Sequence, residues 1–178
     1  LIDEILMASR LDLLDANEAS ALGPTEEVDL VGLAAEECAR TGAELEVAEG
    51  ISPVLVQGHP RLLRRLLRNL LENARRYGQR PGERGSPEPA RLGIDRITGP
   101  DGRHRVQILV EDRGPGVPAA LRERIFEPFY RLPGASESVG GVGLGLSLVR
   151  SIAQRHQGGV RCEDRPGGGA RFVVDVPL

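Results

Sequence analysis

Lysine is missing altogether: all 23 basic residues of this 178-residue chain are arginine. That excludes a Walker A loop and the strand lysine of a protein kinase, so a nucleotide here has to be held by backbone amides, a metal ion and arginine. Tryptophan is absent too, and aromatics make up 3% of the chain, which leaves an aliphatic core. The net charge of -3 lacks the basic balance of a nucleic-acid binder, and no nucleic-acid partner is expected. No apolar run approaches the ~18 residues of a membrane span, and no signal peptide is visible. Cys38 and Cys162 lie far apart and without metal-ligand spacing, which reads as two buried, reduced thiols. What is present, 40% hydrophobic and 28% charged residues, reads as globular, with length for one well-cored domain and an appended element. The chain begins at Leu1 rather than Met, as a piece of something longer does.

Residues 1–16 carry apolar side chains at helical spacing, and "GPTEE" breaks the pattern. "EEVDLVGLAAEECARTG" reads as a short strand, an N-cap at Asp29, a helix and a stop at Gly42. "AELEV" and "PVLVQG" read as strands. A helix opened by Pro60 runs to about Tyr77 and stops at Gly78. Residues 79–90, rich in Pro and Gly, form a mobile loop on this reading. "RLGIDRIT" and "RVQILVED" pair across a "GPDG" turn, "LRERIF" is a short helix, and residues 131–143 form a loop. A helix from about Leu144 to His156 precedes the strands "GVRCED" and "ARFVVDVPL". One sheet covered on one face by helices, a two-layer α/β sandwich, is the architecture these elements suggest.

The Pro60 helix sets Asn69, Asn73 and Tyr77 one turn apart. At ~100° per residue the three sweep an arc of about 80°, while the leucines centre roughly 140° from Asn69. The amides therefore border the core. A plain polar helix edge has the same pattern; a functional edge would offer neutral carbonyl oxygens to a hard cation and an aromatic face to a base. Further along, "VEDRGPGVP" ends a strand at Asp112 and turns through Gly114 and Gly116, where a carboxylate can accept from an amine. "IFEPFYR" sets Phe126 and Phe129 three apart, and Gly141, Gly143 and Gly145 open a helix, where exposed amides and the positive dipole end suit phosphate.

Taken in order, Asn69-x-x-x-Asn73 with Tyr77, Asp112-x-Gly-x-Gly, Phe-x-x-Phe and Gly-x-Gly-x-Gly resemble the N, G1, F and G2 boxes of bacterial sensor histidine kinases. The resemblance covers about residues 25–178. It implies an α+β fold, the Bergerat ATP-binding fold, with a mixed, mostly antiparallel sheet under helices. It divides the chain into residues 1–22, the end of the second helix of a dimerisation and phosphoacceptor hairpin with its linker, and residues 23–178, the catalytic domain.

The same resemblance implies the site. Asn73 would ligate Mg²⁺, with Asn69 and Arg76 near the phosphates, and these three would carry the catalysis. Tyr77 would pack on adenine and Asp112 would accept from its amine. Gly114 and Gly116 would let the backbone come close. Residues 127–142 would be the ATP lid, anchored by the two phenylalanines. Arg131, Gly141, Gly143, Leu144, Gly145 and Leu146 would complete the nucleotide site. Cofactors are then ATP and Mg²⁺. Partners are the chain's own hairpin, a response regulator and a second copy in the full-length kinase, this fragment being monomeric. The location is cytoplasmic, in an inner-membrane-anchored sensor.

Related ATPases of gyrase and ninety-kilodalton chaperone type carry a water-activating glutamate at the first N-box position; Asn69 is a poor base, which fits transfer to another nucleophile. Anti-sigma kinases share the fold but not the F box. None of His59, His104 and His156 resembles the family's acceptor motif: His59 reads as a helix cap, the other two as surface residues. The chain departs from the pattern at Val142, where threonine is common, and at Arg113, where asparagine is usual. No basic residue follows Arg131 until Arg150. A degenerate scaffold and a slow self-contained ATPase are the competing readings.

Overall fold

The computed structural model describes residue 2 and residues 23–79, 88–133 and 143–178. The expected helix over 1–16 and most of the 79–90 insertion lie outside them. β1 (Glu26–Asp29) leads into α1 (Leu30–Thr41), which is followed by β2 (Glu44–Val47) and β3 (Leu55–Gly58). After α2 (Pro60–Tyr77) come β4 (Arg91–Thr98) and β5 (His104–Glu111). The chain ends with α3 (Gly145–Arg155), β6 (Gly159–Asp164) and β7 (Ala170–Pro177).

The main sheet has the order β2-β4-β5-β7-β6; β2 and β4 run parallel and all other neighbours antiparallel. β1 and β3 form a separate antiparallel pair. Register explains the single packed face. Leu92 opposes Val110, which opposes Phe172; Ile94 opposes Ile108, which opposes Val174; and Val106 opposes Val176. With a side-chain period of two, these buried residues all point the same way and form one aliphatic floor.

Helix α2 lies against that floor. Leu62, Leu63, Leu66, Leu67, Leu70, Leu71 and Ala74 recur at three- and four-residue spacing and are all buried. Its neighbour α1 starts where Asp29 accepts from the Val31 N–H at 3.1 Å and stops at Gly42 in the left-handed region (φ 73°). A fully buried carboxylate, Glu37, joins the two helices: Arg68 donates to it through Nε and a terminal nitrogen, both at 3.0 Å, and Arg64 at 3.2 Å. These bonds, Arg68 foremost, hold the Glu37 pKa below the usual carboxylate value against the opposing effect of burial. Both cysteines are free and buried, and burial pushes their thiol pKa values up to about 11.

The stop at Gly78 holds in position, though not by a left-handed turn, and two other local expectations need correction. "LRERIF" does not form an α-helix; two 3₁₀ turns, Ala119–Leu121 and Arg124–Phe126, stand there, because the segment between Pro118 and Pro128 is too short to repay helix nucleation. Gly78 ends α2 with φ -77°, so no left-handed turn requires it; a side chain would lie 2.3 Å from the Ala74 carbonyl and 3.4 Å from the Asp112 Cβ. His59 occupies the N-cap position of α2 without a side-chain capping bond, and His156 is buried rather than on the surface. The two imidazoles meet edge to face. The His59 backbone N–H donates to His156 Nε2 at 3.0 Å, and His156 Nδ1 donates to the Ile152 carbonyl at 2.8 Å. Nε2 must be the unprotonated nitrogen, because its partner is a donor.

Candidate functional site

One cleft opens between α2, the segment after β5, the start of α3 and the end of the sheet. Helix α2 supplies Asn69, Glu72, Asn73, Arg76 and Tyr77 to its wall. Gly78 ends the helix at the point where Asp112 arrives from β5, so the helix terminus and the strand end close on each other at one end of the cleft.

Asp112 is buried and its carboxylate is only half used by the protein. Oδ1 accepts from the Gly114 N–H at 2.9 Å and the Ala170 N–H at 3.2 Å. No described residue donates to Oδ2, the oxygen left for a ligand in the cleft Asp112 lines. Burial raises the Asp112 pKa above the ordinary carboxylate value, while the two amides and the nearby Arg165 pull it back. Gly116 lines the cleft at φ 75°. Gly114 does not line it; a side chain there would strike the Tyr77 carbonyl at 2.0 Å, so this glycine exists to let the turn pack on α2.

Asn69 bridges two elements. Its Nδ2 donates to the Gly145 carbonyl at 3.2 Å, which ties the middle of α2 to the first residue of α3 and fixes the amide orientation, since a carbonyl needs a donor. Gly145 and Leu146 line the cleft, whereas Leu144 is buried behind it. Helix α3 begins with no side-chain cap and no acidic residue in its first turn, and a Cβ placed on Gly145 would meet nothing within 4 Å. Among the described residues, then, no side chain caps the first-turn N–H groups, the arrangement that attracts an anion. Arg76 forms no ion pair among the described residues, although it stands in the same wall.

Gly143 lies at φ 78°, and its carbonyl accepts from the Phe129 N–H at 2.9 Å. A side chain on it would come within 2.8 Å of the Phe129 backbone. Gly141 and Val142 lie outside the described residues. Of the two phenylalanines, Phe126 is buried edge to face against Phe172, with the Arg150 guanidinium 4.5 Å over its ring. Phe129 is 64% exposed and sits at φ 64°, so its ring turns outward and only its backbone joins Gly143. Anchoring by both rings is thus corrected to one ring and one backbone bond. Arg131, Tyr130 and Leu132 line the cleft below this point.

Sequence reasoning did not single out Glu72, Pro115, Val117, Ile125, Ala170 and Phe172 in the wall, and named Tyr130 and Leu132 only as part of the lid. Glu72 was within reach, since three residues past Asn69 is the same helix edge. The others come from separate elements that only tertiary folding brings together.

Residues 58–178 match the family model described as histidine kinase-, DNA gyrase B-, and HSP90-like ATPase. Among curated relatives, the sensor histidine kinase CpxA of Escherichia coli (strain K12) is 49% identical over 74 residues, 41% of this chain and 16% of CpxA. The chain thus matches under a fifth of that relative's length. Among solved structures, the mycobacterial sensor histidine kinase MprB superposes with a TM-score of 0.65 at 26% identity, covering 86% of this chain and 97% of that one. Full-length ShkA, solved in complex with AMPPNP, gives 0.67 at 27% identity, covering 99% of this chain and 35% of ShkA.

Proposed function

This chain belongs to the histidine kinase-, DNA gyrase B- and HSP90-like ATPase family, as the ATP-binding catalytic domain of a two-component sensor histidine kinase, and from that premise we propose that its cleft holds Mg-ATP for transfer of the γ-phosphoryl to a histidine on another domain. The observation that carries the reading is the half-occupied carboxylate of Asp112. With Oδ1 fixed by two N–H groups, Oδ2 is an acceptor, which suits the exocyclic amine of adenine and rejects the carbonyl that guanine has there. Tyr77, in the same wall, packs on the base.

The donor set at the other end fits phosphates and a hard cation. The uncapped start of α3 and Arg76 receive the phosphate oxygens. Asn73 would hold Mg²⁺ through its side-chain oxygen, with Asn69 beside it and the Glu72 carboxylate next to it favouring a cation there. The ion would supply charge neutralisation on the transferring group. The chain's own residues bind, orient and keep the phosphates away from water, and positioning of this kind dominates phosphoryl transfer. Asn69 is neutral and already donates to Gly145, so it offers no base for hydrolysis.

The acceptor lies elsewhere on this reading. His59 and His156 are buried against each other, and His104 stands at the start of β5 outside the cleft. We assign the acceptor to the hairpin domain, the next recipient to a response-regulator aspartate, and the parent to a dimeric, membrane-anchored sensor with this domain on its cytoplasmic side. No helix among the described residues is long and apolar enough to cross a membrane. The test is incubation with ATP, Mg²⁺ and a separately supplied hairpin. Phosphohistidine on the hairpin, lost in Asn73→Ala, supports the reading; binding of ATP with no transfer to any hairpin contradicts it and favours a scaffold.

A further inference from the structure

Behind Asp112 lies a turn that the nucleotide reading does not use. Residues 165–169, between β6 and β7, carry three consecutive glycines with φ of 88°, 99° and 109°. Gly169 is pressed against the Asp112 backbone: a Cβ on it would lie 2.0 Å from the Asp112 carbonyl oxygen and 3.0 Å from the Arg113 Cα. Beside it, Ala170 exchanges two bonds with Asp112, its carbonyl accepting from the Asp112 N–H at 3.0 Å and its N–H donating to Oδ1 at 3.2 Å.

Arg165 holds that turn from inside. Its N–H donates to the Gly169 carbonyl at 3.1 Å, its carbonyl accepts from the Gly168 N–H at 2.9 Å, and its guanidinium donates to the Gly168 carbonyl at 3.2 Å. The same guanidinium lies 3.6 Å from the carboxylate of Glu111, which precedes Asp112 on β5 and is also paired with Arg171. One side chain thus links the strand before Asp112 to the turn packed against its backbone. We propose that Arg165 is a positioning residue for nucleotide recognition, holding the glycine turn and Glu111 on either side of Asp112 so that the carboxylate presents one fixed, open oxygen to the base.

The proposal rests on the reading of the cleft as a nucleotide site. It makes Arg165 specific to the base: among the described residues, the phosphate end, built from α2 and the start of α3, shares no bond with it. It also has an electrostatic signature. Among the described residues, the charged and titratable groups near Asp112 include Arg165 on the turn, Glu111 before it and Arg113 after it (paired with Glu88), Tyr77 on α2, and Cys162 on β6, whose raised pKa keeps it neutral. Arg165 is the cation among them that favours the ionised carboxylate.

Calorimetric titrations of the whole chain with ATP and with inorganic tripolyphosphate, in Mg²⁺ and across about pH 4 to 8, test this on the wild type, Arg165→Met and Arg165→Lys. Arg165→Met is expected to weaken ATP about tenfold while leaving tripolyphosphate unchanged, and to move the acid limb of ATP binding to higher pH. Arg165→Lys keeps the charge without the planar fork, so it restores the acid limb but still weakens ATP severalfold. Wild-type ATP affinity and an unmoved acid limb in Arg165→Met overturn the proposal; so does equal weakening of ATP and tripolyphosphate. Should the Met variant not fold, a Lys variant with wild-type ATP affinity overturns it alone. A wild type that fails to bind ATP removes the nucleotide reading itself.

Discussion

The two ends of the cleft are built by opposite means. At the base end, Asp112 is buried, its backbone and one carboxylate oxygen are bonded to β7, and glycines at 114 and 169 admit close approach from two sides. At the proposed phosphate end, Asn73, Arg76 and Glu72 stand on a helix edge without a hydrogen bond or close ion pair among the described residues, Glu72 feeling only the nearby charge of Arg68, and they face a helix start that no side chain caps. On the proposed reading the base end is preorganised and selects, whereas the phosphate end is polar and adaptable and would be completed by a cation. Preorganisation has a cost in stability. Because burial raises the folded pKa of Asp112 above its unfolded value, the native state binds more protons than the unfolded chain in the window above the ordinary carboxylate pKa, and stability there falls as pH rises.

The strongest way to break the comparison is to remove that charge. Asp112→Asn is expected to weaken ATP by about 10- to 100-fold, leave tripolyphosphate binding intact, and give a nucleotide-free melting temperature at or above that of the wild type near neutral pH. A variant that lost stability together with binding would show that the carboxylate holds the fold rather than the ligand. Next in size, Arg76→Met should weaken ATP and tripolyphosphate equally, by about tenfold, with a flatter salt dependence than the wild type; calorimetry at two ionic strengths reads both. Asn69→Ala leaves the Gly145 carbonyl without its donor, and should lower stability by about 1 kcal/mol in denaturant titration while affecting phosphate-end binding more than base-end selectivity.

The smallest expected effect lies at the other end of α3. Burial lowers the pKa of His156 and of His59, so the unfolded chain binds more protons as pH falls below the ordinary histidine value. Stability is full above about pH 6.5 and declines as pH drops through the folded pKa values, since a protonated His156 Nε2 would face the His59 N–H donor to donor. Thermal melts across that range should show the decline, and His156→Gln, which keeps an acceptor, should flatten it.

Legibility followed the same divide. Helix α2 was readable because one regular element carries both the leucine stripe and the amide edge, and helical arithmetic alone separates them. The Asp29 cap, the Gly42 stop and the alternation in β5 and β7 were readable for the same local reason. What escaped depends on contacts distant in sequence. Nothing in "RPGGGA" says that its backbone will clamp a carboxylate 58 residues earlier. Nor does "RHQGG" say that its imidazole will accept from a backbone N–H 97 residues away. Phe129 misled because its left-handed backbone reverses the direction that a three-residue spacing implies.

The most direct test of the central claim, that Asp112 selects adenine through its open oxygen, is calorimetric titration of the wild type and Asp112→Asn with non-hydrolysable ATP and GTP analogues in Mg²⁺. Strong preference for ATP is expected in the wild type, and its collapse in Asp112→Asn. Equal binding of the two analogues by the wild type, or a preference that survives the substitution, would contradict it.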